Sequence, residues 1–445
     1  MSYFLPQDVL TDILARLPFK TILQCRCVSK TWYSLISRST FATHHLNKTT
    51  KTKNSDILLF GYCSRESNGE IEHYFLYPDE GFPDNHLEEL DCPFKSTWAA
   101  LWNPSIRKTG SIPRPNVTFT SHGSFVHSLG FGFDSISNDY KLVRVVYLQD
   151  CSFDFDEVPP MVEVYTMRRG CWGMITNDLK YVIREQSACA FLNGVCHWIG
   201  YNSLERDEPR HATVAFNLGN EVFVQMTVPD CLVWDDFIDI SLTVFDGMLS
   251  LVPCKKWLWE ETSCSVWVMK EYGVGESWTK LFHIEHVEGI QRLVAFRENN
   301  EVLLAGEDGE LISYDPNTNN WDCKLFGDVD SFYLDTFVES LVLLSEADRV
   351  LVENTSDASG DHSIIGIEEA SGASMDHEDG ADKNKEIAPL LDGVNEEHAS
   401  GVWFCITHCS KRNMSSINGA FFHLVPVETR RGRITPFESV SLALG

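Results

Sequence analysis

The residues best equipped for chemistry are the 14 cysteines and 15 histidines. The densest group is Cys405-Ile-Thr-His408-Cys409 near the C-terminus. Two thiolates flanking an imidazole are zinc-ligand types, but a tetrahedral site needs four ligands, usually in two close pairs. The sequence holds no Cys-x-x-Cys and no second pair at zinc spacing. His44-His45 and His122/His127 are isolated, the pattern of solvated or core histidines. Cys25 and Cys27 lie in an apolar helical run, where burial accounts for them. A cysteine acting as a nucleophile would need surroundings that favour the thiolate. Gly306-Glu-Asp-Gly-Glu310 lacks the lysine and following helix of a phosphate loop. Gly130-Phe-Gly-Phe-Asp134 reads as a turn between aromatic strands. No catalytic, cofactor-binding or metal-ligating residue is assigned.

The formal net charge of -28 argues against non-specific binding to nucleic acid or to anionic membranes, which want a basic surface. The charge is uneven. Residues 1–55 carry +6, 56–344 carry -25, 345–400 carry -12 and 401–445 carry +3. No apolar run approaches the ~18–20 residues of a membrane span. Asp8 and Asp12 interrupt the opening apolar pattern, so no secretory h-region is expected. Reduced thiols, in the cytosol or nucleus, follow as the expectation.

The opening stretch must be positioned by helices. Val9, Leu10, Ile13, Leu14 and Leu17 recur at helical spacing. Pro6 suits a first turn and Pro18 stops the pattern. Ile22, Leu23, Cys27 and Val28 give a short second helix. Ser29 is placed to cap a third, Lys-Thr-Trp-Tyr-Ser-Leu-Ile, whose Trp32, Leu35 and Ile36 share a face. Ser39 or Thr40 caps a fourth short turn carrying Phe41. Residues 48–55 read as a polar linker.

From residue 56 short apolar-aromatic runs alternate with Gly, Asn, Asp and Pro turns, which is an all-β texture. Two elements repeat. One is an aromatic pair ending a strand, then a turn and a closing strand, with anchors at Trp102, Tyr165, Phe216, Val268 and Tyr314. The other is a hairpin with turns at Asp139, Gly194, Gly247 and Asn300. They interleave at roughly 50 residues, so each repeat supplies about four strands, as in a β-propeller. The repeated Trp and Tyr residues are expected to pack between blades. Residues 345–400 are rich in Ser, Gly, Asp and Glu and read as an acidic disordered segment. Residues 401–445 regain apolar character and are left as an unassigned tail, either a late strand pair or an unfolded end.

The stretch Leu5-Pro-Gln-Asp-Val-Leu-Thr-Asp-Ile-Leu-Ala-Arg-Leu-Pro18, followed by Cys27-Val-Ser-Lys30 and Trp32, resembles the F-box. The resemblance implies binding to a Skp-type adaptor and through it to a cullin ligase. Carried over to matching positions, Leu5, Pro6, Val9, Leu10, Ile13, Leu17, Pro18, Leu23, Val28, Trp32 and Leu35 would form the helical core and the adaptor-binding surface together. The body resembles the plant F-box-associated domain (kelch-like, type 1) in LWNPSIRK, LGFGFDSISNDYKLVRVV, VEVYTMRRGCW, FLNGVCHWI, VWVMKEYGVGESWTKL, LISYDPNTN and FVESLVLL. The sequence contains no Gly-Gly pair, which kelch blades usually carry.

The expected fold is therefore multidomain, α + all-β. A three-helix F-box (1–47) and linker (48–55) precede a kelch-like β-propeller (56–344) for substrate recognition. The expected function is that of a non-catalytic substrate-recognition subunit of a Skp-cullin-F-box ubiquitin ligase, acting in protein degradation. The candidate binding loops 151–160, 203–211 and 254–261, set in a body at -25, suggest a basic substrate, and the basic ribonucleases recognised by S-locus relatives are one option. The alternatives are a non-degradative scaffold that binds the adaptor, and a propeller enzyme, for which no ligand set is found.

Overall fold

The computed structural model describes residues 5–342 apart from 53–56, 67–68, 92–99, 151–154, 156–158, 184–186, 188, 203–209, 234–237, 256–262, 285–288, 298, 300 and 328–331, and beyond 342 only 403–405 and 421–422. The acidic segment 345–400 and most of the three candidate binding loops fall outside the described residues.

Residues 7–52 fold as α1 (Gln7–Leu14), α2 (Phe19–Cys25), α3 (Lys30–Ile36) and α4 (Ser39–Thr52). Pro6 and Pro18 stand immediately before α1 and α2, at φ -53° and -57°. The ring fixes φ there, and the missing N–H is one a helix start would leave unpaired in any case. Ser29 caps α3 as expected: its side chain accepts from the Trp32 N–H at 3.2 Å.

The short fourth turn and the linker need correction. α4 is a full helix that runs through Thr52, into the stretch read as linker. Its Phe41, Ala42, His45 and Leu46, at i, i+1, i+4 and i+5, are buried on one face. Beyond them, the Lys48 ammonium reaches the Asp12 carboxylate of α1 at 2.9 Å. Packing and this tie hold a helix whose later polar residues show no period of their own.

The remaining strands form six antiparallel sheets among the described residues. Five are built wholly from residues 57–336. Sheet I holds Ile57–Glu66, Gly69–Pro78, Glu88–Leu90 and, outside the first of these, Tyr333–Thr336. Sheet III is Phe125–Asp134, Asp139–Leu148, Met161–Thr166 and Cys171–Ile175. Sheet IV sets Val182–Ile183 and Ala190–Leu192 against Val195–Asn202, followed by Arg210–Asn217 and Val222–Thr227. Sheet V is Ile238–Phe245, Met248–Lys255, Ser263–Met269 and Trp278–Ile284, and sheet VI is Ile290–Phe296, Val302–Gly306, Glu310–Asp315 and Asn320–Phe326. Sheet II joins Ala100–Asn103 and Lys108–Ser111 to two tail strands, Trp403–Cys405 and Phe421–Phe422. Of residues 401–445 only these five are described, and they lie in two short paired strands.

Apolar clusters lie between successive sheets and close the ring. Leu59, Tyr74 and Leu76 of sheet I meet Trp102 of sheet II. Leu101 and Ile112 meet Phe131 and Tyr165 of sheet III. The series continues through sheets IV, V and VI. It ends where Leu303 and Leu311 of sheet VI meet Phe60 and Tyr77 of sheet I. Backbone hydrogen bonding closes the ring as well: the late strand 333–336 pairs with the first, Leu58 facing Thr336 and Gly61 facing Tyr333. This is a β-propeller, and its repeat is the one legible in the sequence. The recurring aromatic pairs are cross-strand neighbours in the outer hairpins, with ring centroids 5.6 Å apart for Tyr165–Trp172, 4.7 Å for Phe216–Phe223 and 4.4 Å for Tyr314–Trp321.

Two further expectations are corrected. Gly130-Phe-Gly-Phe-Asp134 is not a turn but the end of the strand Phe125–Asp134. Phe131 and Phe133 face the cluster shared with sheet II, whereas Gly130 and Gly132 face sheet IV. A Cβ at Gly132 would stand 2.1 Å from the Phe191 ring, and one at Gly130 2.5 Å from Trp198. The glycines are there because the sheets approach too closely for a side chain. The thiols are also not uniformly reduced. Cys254 and Cys264 oppose each other on adjacent strands, Cα atoms 4.2 Å apart, and are joined as a disulfide.

Candidate functional site

The five apolar residues that mark α1 in the sequence divide into two sets. Leu14 is buried in the helical core, with Leu10 and Leu17 packed half-buried against it. Val9 and Ile13, one turn apart, point outward and are 45% and 46% exposed. Leu5, four residues before Val9, is 58% exposed, and Val28, between α2 and α3, is 65% exposed. Pro6 and Pro18 are exposed as well. Leu23 and Trp32 are half-buried against the core, and Leu35 is fully part of it. Core and surface, which share one motif in the sequence, are thus separated in space. Leu35 is a core residue and offers no surface. Leu5, Pro6, Val9, Ile13, Pro18 and Val28 are the freely exposed members of the carried-over set.

The core beneath them was only partly marked by the motif. Leu14, Ala15, Phe19, Ile22, Ile36, Phe41 and Ala42 fill it together with Leu341, and Ile106 packs on its edge. Leu46 of α4 meets Val338. The segment 337–342 therefore mortars the helices to the propeller. It is itself fixed to sheet II: the Asn103 amide donates to the carbonyls of Ser340 and Val342 at 3.0 and 2.8 Å, and the Ser340 N–H donates to Ser105 Oγ at 3.1 Å. The helical core leans on its own chain at one end and bares an apolar stripe at the other.

Charged groups brace the layer. Hydrogen bonds from Lys48 and Arg16 hold the Asp12 carboxyl down to about 2. Arg26 donates from Nε to Ser37 Oγ at 3.1 Å and lies over the Tyr33 ring at 4.4 Å, tying α2 to α3.

The histidines singled out in the sequence sit apart. His45 is buried with its Nε2 3.0 Å from the Leu17 carbonyl, and burial lowers its pKa. His122 is exposed and bonds Ser121 at its Nδ1, while burial and the neighbouring Arg144 push His127 down to about 3. Of the Cys-His-Cys group only Cys405 is described, as a strand residue, so its other members cannot be placed against it. Among the described residues no group of three or more His, Cys, Asp and Glu converges as a metal site, and no helix is long and apolar enough to cross a membrane.

Comparison with known proteins agrees with this division. The model of the F-box domain matches residues 4–44, and that of the F-box associated beta propeller domain matches residues 88–337. F-box protein CPR1 of Arabidopsis thaliana is 28% identical over 77% of this chain and 90% of its own length. F-box protein At4g22390 of the same plant is 26% identical over 79% of this chain and 93% of its own length. Among solved structures, a Dos1 propeller covers 62% of this chain and 76% of its own at 11% identity, with a TM-score of 0.30, and no argument is taken from it. With exposed F-box helices docked on a closed ring of sheets, and with family models covering both parts, the chain belongs to the plant F-box proteins that carry an F-box-associated β-propeller domain.

Proposed function

We propose that this protein is a substrate-recognition subunit of a Skp-cullin-F-box ubiquitin ligase. The F-box takes the Skp-type adaptor, and the propeller holds a protein substrate that is ubiquitinated and degraded. The observation that carries this reading is the exposure of Leu5, Val9, Ile13 and Val28 outside a helical core that is filled without them. Burying four such side chains against partner helices supplies about 6–12 kcal/mol gross, at ~1.5–3 kcal/mol each. Association costs about 4–15 kcal/mol, so half-buried neighbours such as Leu10, Leu17 and Trp32 must add to the contact. The chain itself does no chemistry on this reading. It raises the local concentration of substrate lysines near the ligase's charged ubiquitin. A body at -25 favours a basic substrate, of which an S-locus ribonuclease would be one instance.

The test is affinity capture with the double variant Val9→Asp/Ile13→Asp. Both positions are exposed, so the fold is retained, while a buried carboxylate at the contact would cost several kcal/mol. Wild type should capture adaptor and cullin and the variant neither. Equal capture by both overturns the adaptor face. Levels of the co-captured partners should rise when the cullin is blocked. Unchanged levels would leave a scaffold without degradation.

A further inference from the structure

Sheet I carries an aromatic strip that the propeller core does not fully use. Tyr62 and His73 oppose each other across adjacent strands, with ring centroids 4.9 Å apart and 22° between planes. Phe75 follows two residues later on the same face, 6.4 Å from His73 and 6.3 Å from Tyr62, with planes 10° and 15° off parallel. The exposed His86 closes the strip edge-on, 5.2 Å from Phe75. Behind the strip lies the cluster between sheets VI and I, against which Tyr62 and Phe75 are half-buried. Tyr62, His73 and Phe75 each keep part of their surface in solvent. At the seam with sheet VI, Gly327 abuts the Tyr62 ring, and Phe326, the residue before it, is 67% exposed.

The strip is bordered by acid. Residues 79–91, Asp-Glu-Gly-Phe-Pro-Asp-Asn-His-Leu-Glu-Glu-Leu-Asp, hold six carboxylates and no Lys or Arg. Asp79 is paired with Arg297 and Glu88 with Arg107. Glu89, exposed, stands opposite Phe75 in the register and has no Lys or Arg partner among the described residues. Burial and the Glu89 carboxylate push the Tyr62 phenol up, and Asp84 contributes in the same direction at Tyr77. Glu89, directly opposite Phe75 in the register, thus borders the strip.

Parallel ring faces beside an unpaired carboxylate are what a guanidinium recognises. Its plane stacks on the rings while its N–H groups reach the carboxylate. We propose that the strip Tyr62–His73–Phe75, with Glu89 beside it and Phe326 across the seam, is the surface on which this propeller takes an arginine-bearing segment of its protein partner. The proposal rests on the reading that the body recruits a protein. It adds where, and through which side chain, recruitment occurs.

The probe is a short dye-labelled Gly/Ser peptide carrying three arginines, titrated into the full-length protein and followed by fluorescence anisotropy. Salt is held at about 0.15 M so that diffuse attraction is screened. Wild type should bind it, and the lysine version more weakly. Phe75→Leu, which keeps the apolar volume but removes the ring, should weaken binding about threefold to thirtyfold. Glu89→Gln, at an exposed position, should weaken it severalfold. Asp230→Asn, an exposed change in the short turn that follows sheet IV, should leave it unchanged. The assignment is overturned if wild type does not bind, if lysine serves as well as arginine, or if Asp230→Asn weakens binding as much as Glu89→Gln. Adaptor capture is measured on the same preparations. Capture without peptide binding removes this site and leaves the ligase reading standing, and peptide binding without capture does the reverse.

Discussion

The helical region and the propeller solve the same problem in opposite ways. Both have more apolar surface than a small unit can bury. The propeller closes on itself: its repeated aromatics meet their neighbours between sheets, and the last strand pairs with the first. The helices stop short, leaving Leu5, Val9, Ile13 and Val28 in solvent above a complete core. The propeller also buries charge and pairs it. Arg144 donates to Glu163 at 2.8 Å, Glu163 accepts from the backbone of Asn116 and Val117, and Lys141 links sheets III and IV through Asp134 and Glu221. A closed ring can specify itself with buried polar networks, whereas a docking layer spends its apolar surface on a partner.

The largest test of this contrast is Glu163→Ala. It strands a buried guanidinium and two backbone N–H groups, so urea unfolding should show a loss of about 3–5 kcal/mol. Adaptor capture should survive under native conditions, because the helices share none of these contacts. A loss below about 1 kcal/mol would mean that the network does not hold the ring. Next is Leu341→Ala, at the mortar between the two regions. A buried Leu→Ala change costs about 2–4 kcal/mol. Hydrogen exchange should quicken in α1–α4 while sheets III to V keep their protection. Equal quickening in those sheets would show that the two regions open as one unit.

What the sequence made legible was local. The paired aromatics of the outer hairpins and turns such as Asn193-Gly194, both at positive φ, repeat because each hairpin needs them within a dozen residues. The F-box motif was legible for the same reason, and Ser29 capped α3 where its spacing said it would. Pairings between distant segments left no such trace. Nothing near Tyr333 announces Leu58 and Gly61, and nothing near Trp403 announces Trp102. The split of α1 into an inward Leu14 and an outward Ile13 was hidden because both are apolar at helical spacing. Only the position of Leu341 and α4 decides which side is inside. The glycines of Gly130-Phe-Gly-Phe-Asp134 were misread because a close sheet contact and a turn use the same residue.

A third test uses pH. His197 is fully buried in sheet IV, its Nδ1 3.0 Å from the Ala190 carbonyl and its Nε2 2.7 Å from the Tyr272 hydroxyl. Burial pushes its pKa down to about 4, below the ordinary 6.5. The folded form stays neutral where the unfolded chain takes up a proton. Stability is therefore full above pH 6.5 and falls as pH drops towards 4. At pH 5 this one residue costs about 2 kcal/mol relative to pH 7. Urea unfolding at the two pH values, on wild type and His197→Gln, should show a smaller acid loss in the variant. An identical loss would place the acid sensitivity elsewhere, for instance in the helical region at His45.

The smallest effect probes the helical side alone. Ser29 satisfies one backbone donor of α3 through the Trp32 N–H, and α3 carries both Trp32 and the core residues Leu35 and Ile36. Ser29→Ala removes that acceptor and should destabilise α3 by about 1 kcal/mol. Ser29→Asp supplies another acceptor and a negative charge at the helix start, so it should restore the loss. Because α3 packs chiefly on α2 and α4, and meets the propeller only through Leu341 and Ile106, exchange should rise in α2–α4 and stay level in sheets III to VI. Adaptor capture should weaken by a comparable factor, since the exposed stripe is held in place by the core that α3 completes. Unchanged capture with faster exchange would show that the adaptor orders these helices on binding, and that the apolar stripe needs no prior rigidity to be recognised.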